Sequence, residues 1–93
     1  MKISIVTIVR NNASQIRETM DSVLNQGFPD LEYIVIDGAS TDGTVREIEA
    51  YGDRLAAFVS EPDGGIYDAM NKGIARATGD VIGLINAGDS YRP

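Results

Sequence analysis

Four short apolar runs recur along the chain, and stretches with a different periodicity separate them. The runs cover residues 3–9, 31–36, 55–59 and 81–85, and β-branched residues are frequent in the first two. Continuous apolar runs of this length are typical of strands that are buried on both faces, as in a parallel sheet. The pattern therefore predicts four strands, of which the third is the weakest.

The intervening stretches repeat their apolar residues at helical spacing. They predict helices from Asn12 or Ser14 to about residue 26, from 43 to 51 after a cap at Thr41 or Asp42, and from 66 to 77. The residues expected to face the core are Ile16, Met20, Val23 and Leu24 in the first helix, Val45 and Ile48 in the second, and Ile66, Met70, Ile74 and Ala77 in the third.

Strands and helices alternate from the first strand to the fourth. Such an order predicts parallel strands joined by right-handed crossovers, with consecutive strands side by side. In a doubly wound sheet the fourth strand then lies on the other side of the first. We expect one α/β domain over residues 1–93, with a Rossmann-like parallel sheet flanked by helices and the strand order 3-2-1-4.

The amino-acid composition limits the kinds of ligand and metal ion that the chain can bind. The formal net charge is −6, from 14 acidic and 8 basic residues, which argues against binding nucleic acid. The chain has no cysteine and no histidine, so a bound metal would be a hard cation held by oxygen, Mg²⁺ or Mn²⁺. The lack of cysteine fits a reducing compartment such as the cytoplasm. No apolar run is long enough to predict a membrane span.

Polar residues gather where the predicted strands end, which is the ligand-binding edge of an open α/β sheet. They are Thr7, Arg10, Asn11 and Asn12 for the first strand, Asp37 for the second, Asp63 and Asn71 after the third, and Asn86 and Asp89 for the fourth. No glycine-rich dinucleotide or P-loop motif follows the first strand. Carboxylates can instead hold a metal ion that bridges a diphosphate. The pattern indicates a nucleoside diphosphate held through a metal, although an ordinary strand–turn–helix corner at Asp37 remains an alternative.

Three segments resemble the family 2 glycosyltransferases: residues 7–11, 35–44 and 60–73. The resemblance extends over nearly the whole chain. It implies half of a GT-A fold and a nucleotide-sugar donor, with UDP as the first expectation. It also implies an inverting transfer to a glycan or lipid-linked acceptor in bacterial cell-surface polysaccharide synthesis. The cytoplasm is the expected location, with the inner face of the membrane as a further site for a full-length protein.

The resemblance also implies roles for individual residues. Thr7, Val9, Arg10 and Asn11 would line the nucleotide pocket, Asp37 would bond the base, Asp63 and Asn71 would flank the base or ribose, and the segment from Asn86 to Asp89 would be the metal motif, with Asp89 on the ion. Two positions depart from the family pattern. Arg10 replaces the usual aromatic residue, and Gly88 replaces the first aspartate of the metal motif.

Two further expectations concern what surrounds this site. Because no second half follows Asp89, we expect the 93-residue chain to bind a donor without transferring sugar. An uncovered fourth strand would expose Val81, Ile82, Leu84 and Ile85, which favours a homo-oligomer.

Two other functions remain possible from the residues alone. One is a non-catalytic nucleotide-binding or assembly module. The other is a signalling receiver domain, which needs an acidic pair after the first strand and a lysine after a fifth strand. Residues 10–12, Arg-Asn-Asn, do not supply that pair, and the chain shows no fifth strand.

Overall fold

The computed structural model describes residues 1–87. In chain order the elements are β1 (Ile3–Val9), α1 (Ile16–Leu24), β2 (Leu31–Asp37), α2 (Thr44–Glu49), a 3₁₀ turn (Gly52–Arg54), β3 (Ala57–Ser60), α3 (Ile66–Arg76) and β4 (Val81–Asn86). The predicted alternation of strands and helices is confirmed. The boundaries differ by a few residues: β3 begins at Ala57 rather than at residue 55, and α2 ends at Glu49 before the separate 3₁₀ turn.

The four strands form one parallel sheet in the order β3-β2-β1-β4, as the alternation predicts. The register aligns Val9 with Asp37 and Asp37 with Ser60, and it places Ile8 beside Asn86. The carboxyl ends of all four strands are therefore level. The loops that follow them meet at one edge of the sheet, called here the carboxyl edge.

Each face of the sheet carries its own apolar core. On one face, α1 and α2 cover a cluster made of Val9, Ile16, Met20, Val23, Tyr33, Val35, Ile48, Tyr51 and Ala87. On the other face, α3 covers Val6, Ile8, Ile34, Ile36 and Ala69. Residues of β1 alternate between the two clusters, which is why this central strand is apolar almost throughout.

The start of α1 differs from the prediction. Its first residue is Ile16, preceded by Gln15, and no side chain caps it. The Asn12 amide group instead donates to the Ala87 carbonyl and to the Gln15 side chain, so the predicted cap at Asn12 or Ser14 is wrong. A contact across 75 residues of sequence has displaced a local one, and it ties the loop after β1 to the end of β4.

Helix α3 lies close against β1 because it carries a glycine at the point of contact. Gly73 and Ala69 are its buried residues, with Ile66 and Met70 partly buried around them. The prediction that Ile74 faces the core is wrong, since 41% of its surface is exposed. The small residues Ala69 and Gly73 face the sheet, so the axis of α3 lies close to it. Ile74 lies beside this contact and remains partly exposed to solvent.

At the amino end of the sheet, Glu32 joins β1 and β2 to the turn before β4. Its Oε1 accepts hydrogen bonds from the Thr78 backbone N–H at 2.8 Å and from the Ser4 hydroxyl at 2.7 Å, and Lys2 Nζ lies 3.4 Å from Oε2. The Thr78 N–H and the Ser4 hydroxyl are the main causes that lower the Glu32 pKa to about 2, against the opposing effect of burial. The Gly79 N–H completes the network by donating to the Ser4 oxygen at 2.8 Å.

Strand β4 is an edge of the sheet in the described chain. Val81, Ile82 and Leu84 are exposed, at 47%, 40% and 40% of their surface. The expectation that Ile85 also lacks cover is wrong, because this residue packs against the core under α1. None of the helices within residues 1–87 combines the length and the apolar character that crossing a bilayer requires.

Candidate functional site

Backbone hydrogen bonds join the ends of all four strands at the carboxyl edge. The Gly38 N–H donates to the Val9 carbonyl at 3.0 Å, and the Glu61 N–H donates to the Asp37 carbonyl at 3.0 Å. On the other side of β1, the Ala87 N–H donates to the Ile8 carbonyl at 2.8 Å. The loops after β1, β2 and β3 therefore begin from fixed positions.

The carboxylate of Asp37 lies beneath these loops and is fully buried. Its Oδ2 accepts from the Ser40 N–H at 2.9 Å and from the Ser60 hydroxyl at 2.8 Å, and its Oδ1 accepts from the Ser40 hydroxyl at 2.5 Å. An ionised carboxylate offers about four acceptor positions, so these three bonds use most of its capacity. Asp37 thus organises the loops after β2 and β3 from below.

Asn11 connects the loop after β1 to the same corner. Its N–H donates to the Ser40 hydroxyl oxygen at 2.8 Å, and its side-chain Oδ1 accepts from the Thr41 N–H at 2.8 Å. Asn11 has a φ of 50° and Ala39 has a φ of 57°, both in the left-handed region. Asparagine tolerates this conformation better than most residues, whereas alanine pays a steric cost there.

Asp42 fixes the start of α2. It accepts from the Ala13 N–H at 3.1 Å, from the Thr44 N–H at 3.0 Å and from the Thr44 hydroxyl. The Thr44 hydroxyl is the main cause that lowers the pKa of Asp42. The N-cap residue of α2 is Gly43, one position after the predicted Asp42. Asp42 still accepts a hydrogen bond from the Thr44 N–H, which is the first N–H of the helix.

Beyond β3, Lys72 on α3 closes the neighbouring loop. Its ammonium donates to the Pro62 carbonyl at 2.9 Å and lies 3.2 Å from Glu61 and 3.5 Å from Asp68. Burial lowers the pKa of Lys72, but the two carboxylates outweigh burial, and the pKa is raised overall. Asp68 also accepts from the Gly64 N–H at 2.8 Å, so this loop is anchored on α3.

Apart from Asp37, the residues predicted to bind a ligand fall into three groups. Thr7 and Val9 are buried in the core, and the Thr7 hydroxyl lies 2.7 Å from the Tyr33 hydroxyl. Burial is the main cause that raises the pKa of Tyr33 to about 12, so this pair stays neutral.

The other two groups lie nearer the surface or beyond the described chain. Arg10, Asn11, Asn71 and Asn86 are exposed, and Asp63 is half-buried with its Oδ1 accepting from the Gly65 N–H at 3.1 Å. Asp89 lies outside the described residues. Sequence reasoning assigned no role to Ser40 or Ser60, although both lie in segments that resemble the family, because the partners of a serine hydroxyl depend on which loops the fold brings together.

The described residues do not form a metal site by themselves. Within residues 1–87 no three acidic side chains come together in a way that could hold an ion. The carboxylates of Asp37 and Asp42 are already used by hydrogen bonds.

Open hollows within residues 1–87 lie away from this corner. One of about 410 Å³ lies between α1 and β4, lined by Gln15, Glu18, Thr19, Ser22 and Ile85. Another of about 470 Å³ lies between the 3₁₀ turn and β3. Neither is lined by the side chains that follow the strands at the carboxyl edge.

Solved structures share this fold. The mannosyltransferase PcManGT of Pyrobaculum calidifontis, solved in complex with GDP-Man and Mn²⁺, superposes with a TM-score of 0.84 and 30% identity, over 92% of this chain and 27% of that one. Residues 1–349 of TarS from S. aureus, in complex with UDP-GlcNAc, superpose with a TM-score of 0.78 and 29% identity, over 94% of this chain and 26% of that one.

Sequence comparison identifies the family. An uncharacterized glycosyltransferase of Mycobacterium tuberculosis is 40% identical over 90 residues, which cover 96% of this chain and 34% of that protein. The chain spans about a third of the length of the first curated relatives that it matches. The family profile described as glycosyl transferase family 2 matches residues 4–93. The receiver alternative is wrong, since receivers have the flavodoxin-like strand order 2-1-3-4-5 rather than 3-2-1-4. This chain belongs to glycosyl transferase family 2.

Proposed function

We propose that this chain is the donor-binding part of a glycosyltransferase and that its carboxyl edge binds a nucleoside diphosphate sugar together with Mg²⁺ or Mn²⁺. The observation that carries the proposal is the set of hydrogen bonds that joins the loops after β1, β2 and β3 around the buried Asp37. Ligands of open α/β sheets bind at this edge. Structural neighbours at 29–30% identity have been solved with GDP-Man and UDP-GlcNAc.

Arg10 and Asn11 are the exposed side chains best placed to meet the donor. Arg10 directly follows β1, and the residues on both sides of it are fixed, Val9 by Gly38 and Asn11 by Ser40. A guanidinium can bind a phosphate through two parallel hydrogen bonds or stack on a base. Arg10 would supply positive charge to a chain whose net charge is −6.

Asp37 would act on the base from its buried position. Three of its acceptor positions are used within the protein, and the carboxylate is fully buried, so a ligand N–H would reach the remaining position only when the covering loop moves. Uracil and guanine both carry a ring N–H, so the arrangement suits either base, and UDP remains the first expectation. Asp63 and Asn71 would flank the base or ribose.

The metal ion would neutralise the charge of the diphosphate, and Asp89 would hold it. Without a cation, the phosphates would face an acidic protein, and their repulsion would oppose binding. Asn86, at the end of β4, would belong to the same metal motif as Asp89.

Transfer of the sugar is proposed for the whole protein rather than for residues 1–93 alone. An inverting displacement needs a general base and an acceptor held in line with the anomeric carbon. The matched relatives are about three times as long as this chain, which leaves room for both. The proposed acceptor is a glycan or a lipid-linked sugar of cell-surface polysaccharide synthesis, on the strength of the family alone.

Calorimetry tests the donor site. UDP and GDP are titrated into the chain with Mn²⁺, with Mg²⁺ and with excess chelator, and we expect binding only when a metal is present, with UDP ahead of GDP. In Asp89→Ala, adding metal should no longer raise the affinity for UDP. Asp30 is an exposed aspartate at the amino end of β2, and Asp30→Ala should keep the gain in affinity that metal gives. Equal affinity in excess chelator would show that no metal takes part.

A UDP-release assay over a panel of nucleotide sugars tests whether residues 1–93 bind the donor without transferring the sugar. We expect the 93-residue chain to release no UDP above background while it still binds the nucleotide. Turnover at ordinary transferase rates would show that the rest of the relatives' length is dispensable.

A further inference from the structure

One hydroxyl group joins the buried and the exposed parts of the carboxyl edge. The Ser40 Oγ donates to Asp37 Oδ1 at 2.5 Å and accepts from the Asn11 N–H at 2.8 Å. Asp37 is fully buried, whereas Asn11 is exposed. Ser40 itself is half-buried, so it bridges the interior of the protein and the surface that a ligand would meet.

Asn11 depends on this bridge for its conformation. Its φ of 50° lies in the left-handed region, which non-glycine residues adopt only at a cost. Two bonds to the loop after β2 compensate for that cost. They are its N–H to Ser40 and the Thr41 N–H to its Oδ1. Without the Ser40 oxygen, the Asn11 N–H would have no other partner among residues 1–87 and would turn to water.

We propose that Ser40 is a positioning residue for nucleotide binding, which holds Asn11 and the preceding Arg10 in place against the buried Asp37. This inference rests on the proposed function. A loop that is ordered before the ligand arrives does not pay for that ordering during binding. Ser40 therefore raises the affinity for the donor without touching it.

Ser60 provides a matched control. Its hydroxyl donates to Asp37 Oδ2 at 2.8 Å, so it bonds the same carboxylate as Ser40. Ser60 makes no bond to Asn11 among the contacts found within residues 1–87. Removing either hydroxyl takes one hydrogen bond from Asp37, but only the loss of Ser40 releases Asn11.

The test combines calorimetry with UDP and Mn²⁺, hydrogen exchange at the Asn11 amide, and thermal unfolding. We expect Ser40→Ala to weaken UDP binding by about three- to tenfold and to speed exchange of the Asn11 amide. Ser40→Thr keeps the hydroxyl and should restore both. Ser60→Ala should lower the unfolding temperature by a similar amount and leave the Asn11 amide protected, so its loss of UDP affinity, which reports only the disturbance of Asp37, should be smaller than that of Ser40→Ala.

Other results would contradict either the positioning role of Ser40 or the proposed function. Unchanged UDP affinity in Ser40→Ala, or an equal loss in Ser60→Ala, would overturn the positioning role and leave the proposed function standing. A wild-type chain that binds neither UDP nor GDP with metal would overturn both. If Ser40→Ala does not fold, Ser40→Cys replaces it in the same comparison, because a thiol is a much weaker hydrogen-bond acceptor.

Discussion

Gly73 of α3 lies directly against Val6 of β1. A Cβ at Gly73 would overlap the Val6 Cγ1 atom and would lie 3.2 Å from both Val6 Cβ and Val6 Cγ2. The glycine therefore sets the distance between α3 and the sheet. It also sets the position of the loop before α3, which is anchored on the helix through Lys72.

Gly73→Ala is expected to lower the free energy of unfolding by about 1–3 kcal/mol, the usual cost of overpacking a core contact. Denaturant titration measures the change. Gly64→Ala is the matched control, because a Cβ there meets only the Asp68 side chain, at 3.7 Å or more. Equal stability of the two variants would show that α3 can move away from β1 at no cost.

Arg10→Gln is expected to weaken the binding of UDP with Mn²⁺ by about tenfold, within the range for hydrogen bonds to charged groups. Binding should also become less sensitive to salt, since a charge contact has been removed. Arg46→Gln is the control, because Arg46 is also exposed and, like Arg10, has no ion pair or hydrogen bond from its side chain within residues 1–87. The same loss in both variants would point to a general charge effect rather than to a contact of Arg10.

Asp37→Asn is expected to destabilise the fold by about 1–3 kcal/mol, because an amide N–H₂ would face donors that now meet a carboxylate oxygen. If Asp37 also bonds the base, UDP affinity should fall further than it does in a variant of equal stability, such as Gly73→Ala. Measuring unfolding and UDP binding on the same samples separates the two effects. A loss of stability with unchanged affinity would assign Asp37 to the structure alone.

The Glu32 network gives a stability that depends on pH. The pKa of Glu32 is lowered from 4.5 to about 2 in the folded chain, so its stabilising effect is complete above pH 4.5 and disappears as the pH falls towards 2. Glu32→Gln should cost about 1–2 kcal/mol at pH 7. The unfolding free energies of the variant and the wild type should converge in acid.

Glu49→Gln, at an exposed position on α2, is the control for this pH series. Its side chain makes no hydrogen bond or ion pair within residues 1–87, so the stability of this variant at pH 7 should stay close to that of the wild type. A difference between Glu32→Gln and the wild type that stays constant from pH 7 to pH 2 would contradict the lowered pKa.

We propose that the 93-residue chain forms a homo-oligomer through β4, most simply a two-fold dimer. The strand carries no charged residue between Val81 and Asn86, and charges are a common protection of an exposed edge. Light scattering should show a dimer in the wild type and a monomer in Leu84→Lys. Phe28→Lys, at an exposed apolar residue outside β4, should stay dimeric, and a monomeric wild type at high concentration would contradict the proposal.

The sequence by itself determined the order of elements, the parallel sheet and the edge at which the polar residues meet. The apolar runs of β1 and β2 are local signals, and the short crossovers restrict how the strands can be arranged. The level carboxyl ends then follow, because parallel strands all finish at the same edge. The family could also be identified from the segments at residues 35–44 and 60–73.

Only the tertiary structure decided which partner each polar group takes. Asn12 looks like a helix cap in sequence, yet its amide reaches Ala87. The hydroxyl of Thr7, which is predicted to line the nucleotide pocket, bonds to Tyr33, and the sequence alone does not indicate this partner. Ser40 lies in the segment that resembles the family, yet its bond to Asn11 forms only because the fold brings the loops after β1 and β2 together. The contacts of Asn12 with Ala87, of Thr7 with Tyr33 and of Asn11 with Ser40 join residues distant in sequence. Buried polar groups must find a hydrogen-bond partner wherever the fold brings one, so periodicity and local spacing could not predict these contacts.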